Sequence, residues 1–157
     1  MKLTRLQKLQ AALLMLTVLL IFTQSLMPPH VSSSESGFIT QLLYPILARI
    51  LPSGMDMEHF VRKAGHFSEY FLLGLQLGLF RLSPPKPGSF RLQGFLCRGG
   101  MVWMMAFLDE TLQIFSGRGP MIQDVWLDLA GGLTGLMAAA LLRLLFQKKN
   151  NENAPAD

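Results

Sequence analysis

The chain has 157 residues, half of them hydrophobic and only 15% charged, with a formal net charge of +4. Soluble domains carry about 25% charged residues, so this composition lacks the polar surface that a water-soluble fold would need, and lipid is the solvent that fits. Nucleic acid is not the partner that the positive balance implies, because the basic residues sit at the ends of apolar runs rather than along one helix face.

Four apolar segments approach the roughly 20 residues that a membrane-spanning helix needs. The first runs from Leu9 to about Met27 without a formal charge and stops at Pro28-Pro29. Lys2, Arg5 and Lys8 before it also suit a secretory signal peptide. No small-x-small cleavage site follows closely, and Gln24-Ser25-Leu26-Met27 is a poor one, so a retained anchor is expected. His30–Gly37 is polar and serine-rich and reads as a flexible loop. Phe38–Leu51 is apolar with Pro45 inside it; it is too short to span and reads as an interfacial or re-entrant segment. Met55–Arg62 leads into the second long segment, about Ala64 to Phe80, which contains His66 and Glu69. The third, about Gly94 to Phe115, carries Arg98 near its start and Asp109-Glu110 near its end. The fourth runs from about Val125 to Phe146, with Asp128 in its first turn. The tail after Lys148 is polar and reads as disordered, and no internal repeat is present. The lone cysteine, Cys97, forms no internal disulfide and fits no zinc spacing. The expected fold is all-α: one domain, a polytopic four-transmembrane-helix bundle.

Lysine and arginine in short loops set orientation. They gather at Lys2–Lys8, at Arg81, Lys86, Arg91 and Arg98, and at Arg143, Lys148 and Lys149. Four spans bring these three regions to one side, so both termini are expected in the cytoplasm of a multi-pass protein in the cell membrane. The other side holds Arg49, Arg62, Lys63 and Arg118 among Glu35, Asp56, Glu58 and Asp124.

Charged groups in lipid are expensive and usually face a bundle interior or water. Here they fall in rows. Arg62, His66 and Glu69 lie at i, i+4 and i+7, with Tyr70 beside them, and Gly74 and Gly78 continue the stripe. Asp124, Asp128, Gly131, Gly135 and Ala139 form a second stripe on the last segment. Small-xxx-small rows let helices approach closely, so these two segments are expected to pack with their polar ends together. The third segment adds Asp109 and Gln113 on one face, with Glu110 one position round. Ser116-Gly117-Arg118-Gly119-Pro120 follows, a turn whose guanidinium suits a phosphate or carboxylate. Blander roles compete at each position. Arg62 and Lys63 suit snorkelling anchors, His66 a packing hydrogen bond, Glu69 with Arg118 a structural ion pair, and Asp124 a helix N-cap. Tyr70, Trp103 and Trp126 suit packing or interface aromatics.

The segments Arg62-Lys63-Ala64-Gly65-His66-Phe67-Ser68-Glu69-Tyr70, Asp109-Glu110-Thr111-Leu112-Gln113, Gly117-Arg118 and Ile122-Gln123-Asp124-Val125 resemble the VanZ-like family over about Val61 to Ala140. One departure stands out: the family pattern has asparagine where this chain has Asp128. The resemblance implies a bacterial cell membrane, a role near the envelope and a link to resistance to teicoplanin, a lipid-tailed glycopeptide. It implies no particular reaction.

Two functions remain open on the residues. In the first, the protein is an enzyme acting on a lipid-linked or envelope substrate. His66 exchanges protons, Glu69 or Asp109 orients it or supplies the acid, and Arg62 and Arg118 hold the anion. Lys63, Tyr70, Glu110, Gln113, Asp124 and Asp128 complete the substrate-binding candidates. In the second, the same cluster binds a cell-wall precursor or a glycopeptide without catalysis. A transport or structural subunit is a third class, disfavoured by only four helices and no inverted repeat. A metal held by His66 with Glu69, Asp109, Glu110 or Asp124 is conceivable. One histidine among carboxylates is weak evidence, so no metal or cofactor is expected. The partners expected are membrane lipid and such a precursor or glycopeptide, and no nucleic acid. At least one arginine–carboxylate pair is expected inside the site.

Overall fold

The computed structural model describes residues 3–52, 54–80 and 92–152, the last five of these by backbone alone. Arg81, Lys86 and Arg91, on which part of the orientation reading rests, lie outside them. The described residues form five helices: α1 (Arg5–Ser25), α2 (Pro29–Ile50), α3 (Met57–Leu79), α4 (Leu92–Phe115) and α5 (Ile122–Glu152). No strand occurs among them. The all-α expectation therefore holds. Helix α1 and Ile122–Gln147 of α5 are long and apolar enough to cross a membrane. Helices α3 and α4 have the length, 23 and 24 residues, but charged groups lower their hydropathy. Two of the four expected spans thus meet the test of length and composition.

Helix α1 begins at a capping box. Thr4 accepts from the Gln7 amide, and the Gln7 side chain reaches back to the Thr4 N–H, satisfying two donors that the first turn leaves free. Its buried residues are Thr17, Ile21 and Ser25, one stripe at i, i+4 and i+8. Thr17 accepts a hydrogen bond from Gln76 of α3 at 2.9 Å. The first helix is thus packed against the bundle along one face.

After a connection of three residues Pro29 opens α2, its fixed φ suited to a first helical position. The flexible loop expected over His30–Gly37 is instead the first part of this helix, and Phe38–Ile50 is its continuation. The serines fit because their hydroxyls bond back to the helix: Ser36 Oγ donates to the Ser32 carbonyl at 3.0 Å and Thr40 Oγ1 to that of Ser36 at 2.7 Å. Pro45 sits inside the helix without ending it. The segment read as a short interfacial or re-entrant piece is thus part of one unbroken helix of 22 residues. At the other end of the chain, α5 runs on to Glu152, past Lys148 where disorder was expected; residues 153–157 lie outside the described part.

The tightest packing is between α3 and α5. A Cβ on Gly74 would run into the Gly132 carbonyl, one on Gly131 into the Phe67 carbonyl, and one on Gly135 into the Phe71 carbonyl. A Cβ on Gly78 would meet that of Ala139. The two small-residue stripes therefore face each other. The sequence reading passed over Gly132: its carbonyl meets α3 while its Cα faces Val102 of α4. The adjacent pair Gly131-Gly132 thus seats two helices at one level. The buried hydrophobic cluster around this crossing is small, with Ile21, Tyr70, Leu73, Val102, Ala106, Val125 and Leu136.

A Gly135→Leu variant must push its side chain into the α3 backbone, with the Leu75 amide nitrogen only 2.7 Å from the new Cβ. Overpacking of this kind costs about 1–3 kcal/mol or more. The expected result is a clear fall in the monodisperse fraction in size-exclusion chromatography in detergent. Gly100→Leu, at a position open on all sides, should match the wild type. Equal yields from the two variants would contradict the α3–α5 packing.

Candidate functional site

Asp56 caps α3, its carboxylate accepting from the His59 amide at 3.0 Å. From that start the helical repeat turns Arg62, His66, Glu69 and Tyr70 toward the bundle. On α5, Asp128 lies one turn before the Gly131-Gly132 pair, so the α3–α5 crossing carries it to the level of His66. His66 Nδ1 is 3.5 Å from Asp128 Oδ1 and 3.9 Å from Asp109 Oδ2 of α4. The side chains of Asp109 and Asp128 are 1% and 0% exposed. Ser25 of α1 donates a hydrogen bond to the Asp109 carboxylate. Tyr70, also fully buried, has its hydroxyl unpaired, as are both Asp128 oxygens.

Helix α4 ends in a Schellman motif. The Arg118 N–H reaches the Gln113 carbonyl at 3.0 Å, and the Gly117 N–H reaches that of Ile114 at 3.3 Å. Gly117 has φ +75°, a left-handed conformation open to glycine at little cost. This turn delivers Arg118 back over the bundle, where its guanidinium donates to the Gln24 carbonyl of α1 at 3.1 Å. Glu110 fixes the rest of the connection: one oxygen accepts from the Met121 N–H at 2.8 Å and the other from the Gln113 amide at 2.8 Å.

Two cavities open at this end. The smaller, about 120 Å³, has His66, Glu69 and Asp109 on its walls with Arg62 and Arg118 beside them. Gln24 and Ser25 of α1 and Ser32, Glu35 and Ser36 of α2 close it. The second, about 190 Å³, lies between the start of α2 and the α4–α5 turn, and shares Ser32, Arg62 and Arg118 with the first.

All three catalytic candidates, His66, Glu69 and Asp109, come together, with Arg62, Arg118 and Asp128 around them. Other candidates fall into different roles. Lys63 and Asp124 are paired with each other at 2.8 Å at the edge of the cluster. Asp124 is not the N-cap of α5, which starts two residues earlier at Ile122. Glu110 and Gln113 hold the α4–α5 turn. Within the site, neither Arg62 nor Arg118 forms an ion pair with a carboxylate. The expected partners of Arg118 and Arg62 are replaced by the Gln24 carbonyl and by His59 Nδ1, the latter at 3.3 Å. Backbone and imidazole acceptors reach the guanidinium groups first, because Gly117 and the first turns of α3 fix where those groups project. The site residues of α1 and α2 were missed. Their signal was present as hydroxyl rows within helices, Thr17 to Ser25 and Ser32 to Ser36, each spaced to share one face.

Helices suited to lipid, and a half-buried imidazole between two buried carboxylates with two arginines beside it, define a membrane protein with a polar site inside its helical bundle. The chain belongs to the VanZ/LLP1 family, whose model it matches over residues 10–143. That match begins in α1, so the first two helices belong to the family unit with the motif-bearing three. Membership links the protein to the cell envelope and to glycopeptide resistance. No curated protein and no solved structure matches the chain.

Glu110→Ala removes both acceptors of the α4–α5 turn and leaves the Met121 N–H and the Gln113 amide unpaired. Unsatisfied buried donors cost about 1–3 kcal/mol each. The melting temperature in detergent should fall by several degrees, whereas Glu110→Gln, which retains an acceptor oxygen, should fall less. Identical melting of the alanine variant and the wild type would refute the bracing role.

Proposed function

We propose that the protein is a four-span membrane enzyme with both termini in the cytoplasm, acting at the outer membrane surface on an anionic, lipid-linked envelope substrate. The observation that carries this reading is the placement of Arg62 and Arg118 on both cavities while His66, Glu69 and Asp109 line the smaller one. Guanidinium groups hold phosphate or carboxylate oxygens through paired N–H donors. At the reacting atom they stabilise charge as it develops. Histidine is the side chain most often used as a general acid or base, which gives His66 the proton-transfer role, and Glu69 shares its cavity as the complementary carboxyl. Size favours a head group over a whole antibiotic. Pockets for drug-sized ligands run to about 300–1,000 Å³, and these cavities measure about 120 and 190 Å³. Binding a glycopeptide without chemistry is the competing function.

The outer placement of the site follows from charge: Lys2, Arg5 and Lys8 before α1 and Arg143, Lys148 and Lys149 in the last turns of α5 favour the cytoplasm. Single cysteines at Ser33 and Gly119, in a Cys97→Ser background, should react with a membrane-impermeant maleimide on intact cells. Labelling of both only after the membrane is opened would reverse the orientation.

Chemistry is tested by substitution. General acid–base groups contribute about 100-fold to 10,000-fold in rate, so His66→Gln should remove the change that the protein causes in the lipid and muropeptide profile of expressing cells. Arg118→Lys keeps the charge but loses the planar fork and should weaken it strongly. Membrane levels of both variants should stay near wild type. A His66→Gln protein with full effect would end the catalytic reading in favour of binding.

A further inference from the structure

We propose that His66, Asp109 and Asp128 bind one divalent transition-metal ion, with its open coordination position facing the smaller cavity. One ligand atom from each residue lies within 4.8 Å of the others. His66 Nδ1 stands 3.5 Å from Asp128 Oδ1 and 3.9 Å from Asp109 Oδ2. Good hydrogen bonds are shorter, about 2.7–3.2 Å. Donor atoms sharing a tetrahedral ion at about 2.0–2.1 Å are about 3.4 Å apart, so a small inward shift brings the trio to ligand spacing.

Neither Asp128 oxygen nor His66 Nδ1 has a hydrogen-bond partner, and Asp128 is completely buried. Two neighbouring carboxylates in a bundle interior need compensating charge. His66 lies within ion-pair distance of both but supplies charge only when protonated, and the lysine and arginines near the site are engaged elsewhere. Lys63 is paired with Asp124, Arg62 is against His59, and Arg118 is against the Gln24 carbonyl. A divalent ion balances both carboxylates at once. One imidazole nitrogen with carboxylate oxygens suits zinc or its transition-metal neighbours, whereas calcium and magnesium prefer oxygen alone. Three protein ligands leave a fourth position open, as catalytic zinc sites do. His66 and Asp109 line the cavity and Asp128 lies behind them, which sets the side on which that position opens. Ser25, bonded to Asp109, orients a ligand from outside the coordination shell.

The functional consequence rests on the proposed substrate cavity; the metal site does not. With Nδ1 on an ion, His66 would act as a ligand rather than as the proton carrier, and that role would pass to Glu69 on the same cavity wall. The protein, purified in nanodiscs without a histidine tag, is stripped with a chelator, given Zn²⁺, desalted and analysed for metal. The expected result is about one Zn²⁺ per chain and a melting temperature several degrees higher than that of the stripped protein. Asp128→Asn and His66→Gln should lose the bound metal, while Asp124→Asn retains it. Absence of bound Zn²⁺ and of any thermal shift in the wild type overturns the proposal even if a variant fails to fold. So does equal Zn²⁺ in wild type, Asp128→Asn and His66→Gln, which would put the ion elsewhere. Metal content is read without substrate, so either result leaves the head-group reading to its own test.

Discussion

Where α3 crosses α5, glycine Cα atoms stand against the other helix's carbonyls: Gly131 at Phe67, Gly135 at Phe71, Gly74 at Gly132. Side chains cannot occupy that space. In lipid, apolar side chains gain little by leaving the solvent, so helix association depends on van der Waals contact and polar bonds, and small residues permit both. The crossing also fixes the register of the polar residues above it. Phe67, whose carbonyl receives Gly131, is next to His66, and Asp128 precedes Gly131 by one turn. The imidazole and the carboxylate meet because the glycines below them do. Gly132 adds α4 to the same junction through Val102, and Asp109 arrives as the third member.

The bundle has the reverse of a water-soluble pattern. Its interior combines a small apolar cluster with glycines and a group of carboxyl and amide side chains, while many large apolar residues point outward. Leu13, Leu16 and Leu20 of α1 and Leu141, Leu144 and Leu145 of α5 are all exposed. Such a surface is costly in water at about 25 cal/mol per Å² and free of that cost against lipid tails. The polar interior is then the expensive part. Ser25 on Asp109, Gln76 on Thr17 and Gln113 on Glu110 offset part of its cost by pairing groups within the bundle. The Asp128 oxygens, His66 Nδ1 and the Tyr70 hydroxyl are among the groups that this pairing leaves over.

Helices α1 and α2 turn that cluster into a site. Helix α1 supplies Ser25 to a carboxylate and a backbone carbonyl to Arg118; α2 supplies Ser32, Glu35 and Ser36 to the cavity wall. The connection between them is only three residues, and Pro29 starts the second helix at once. The two helices therefore enclose the open end of α3 from different sides.

Much of this was determined by the sequence alone. The share of charge excluded a soluble fold, the apolar runs placed α1, α3, α4 and α5, and the spacing of glycines and ionisable residues put α3 and α5 together with His66, Asp109 and Asp128 near their polar ends. Periodicity carries that information because a helix repeats every 3.6 residues whatever surrounds it. Partner choice within the cluster was decided only by the tertiary structure. Hydrogen bonds depend on tenths of an ångström, and the turns that set those distances have no period. The Gly117 turn gave Arg118 to a backbone carbonyl, Lys63 paired with Asp124, and Glu110 was drawn to the Met121 amide. The serine-rich stretch of α2 misled for a related reason: its hydroxyls bond to helix carbonyls or to loop amides equally well, and only packing against α3 settled the choice.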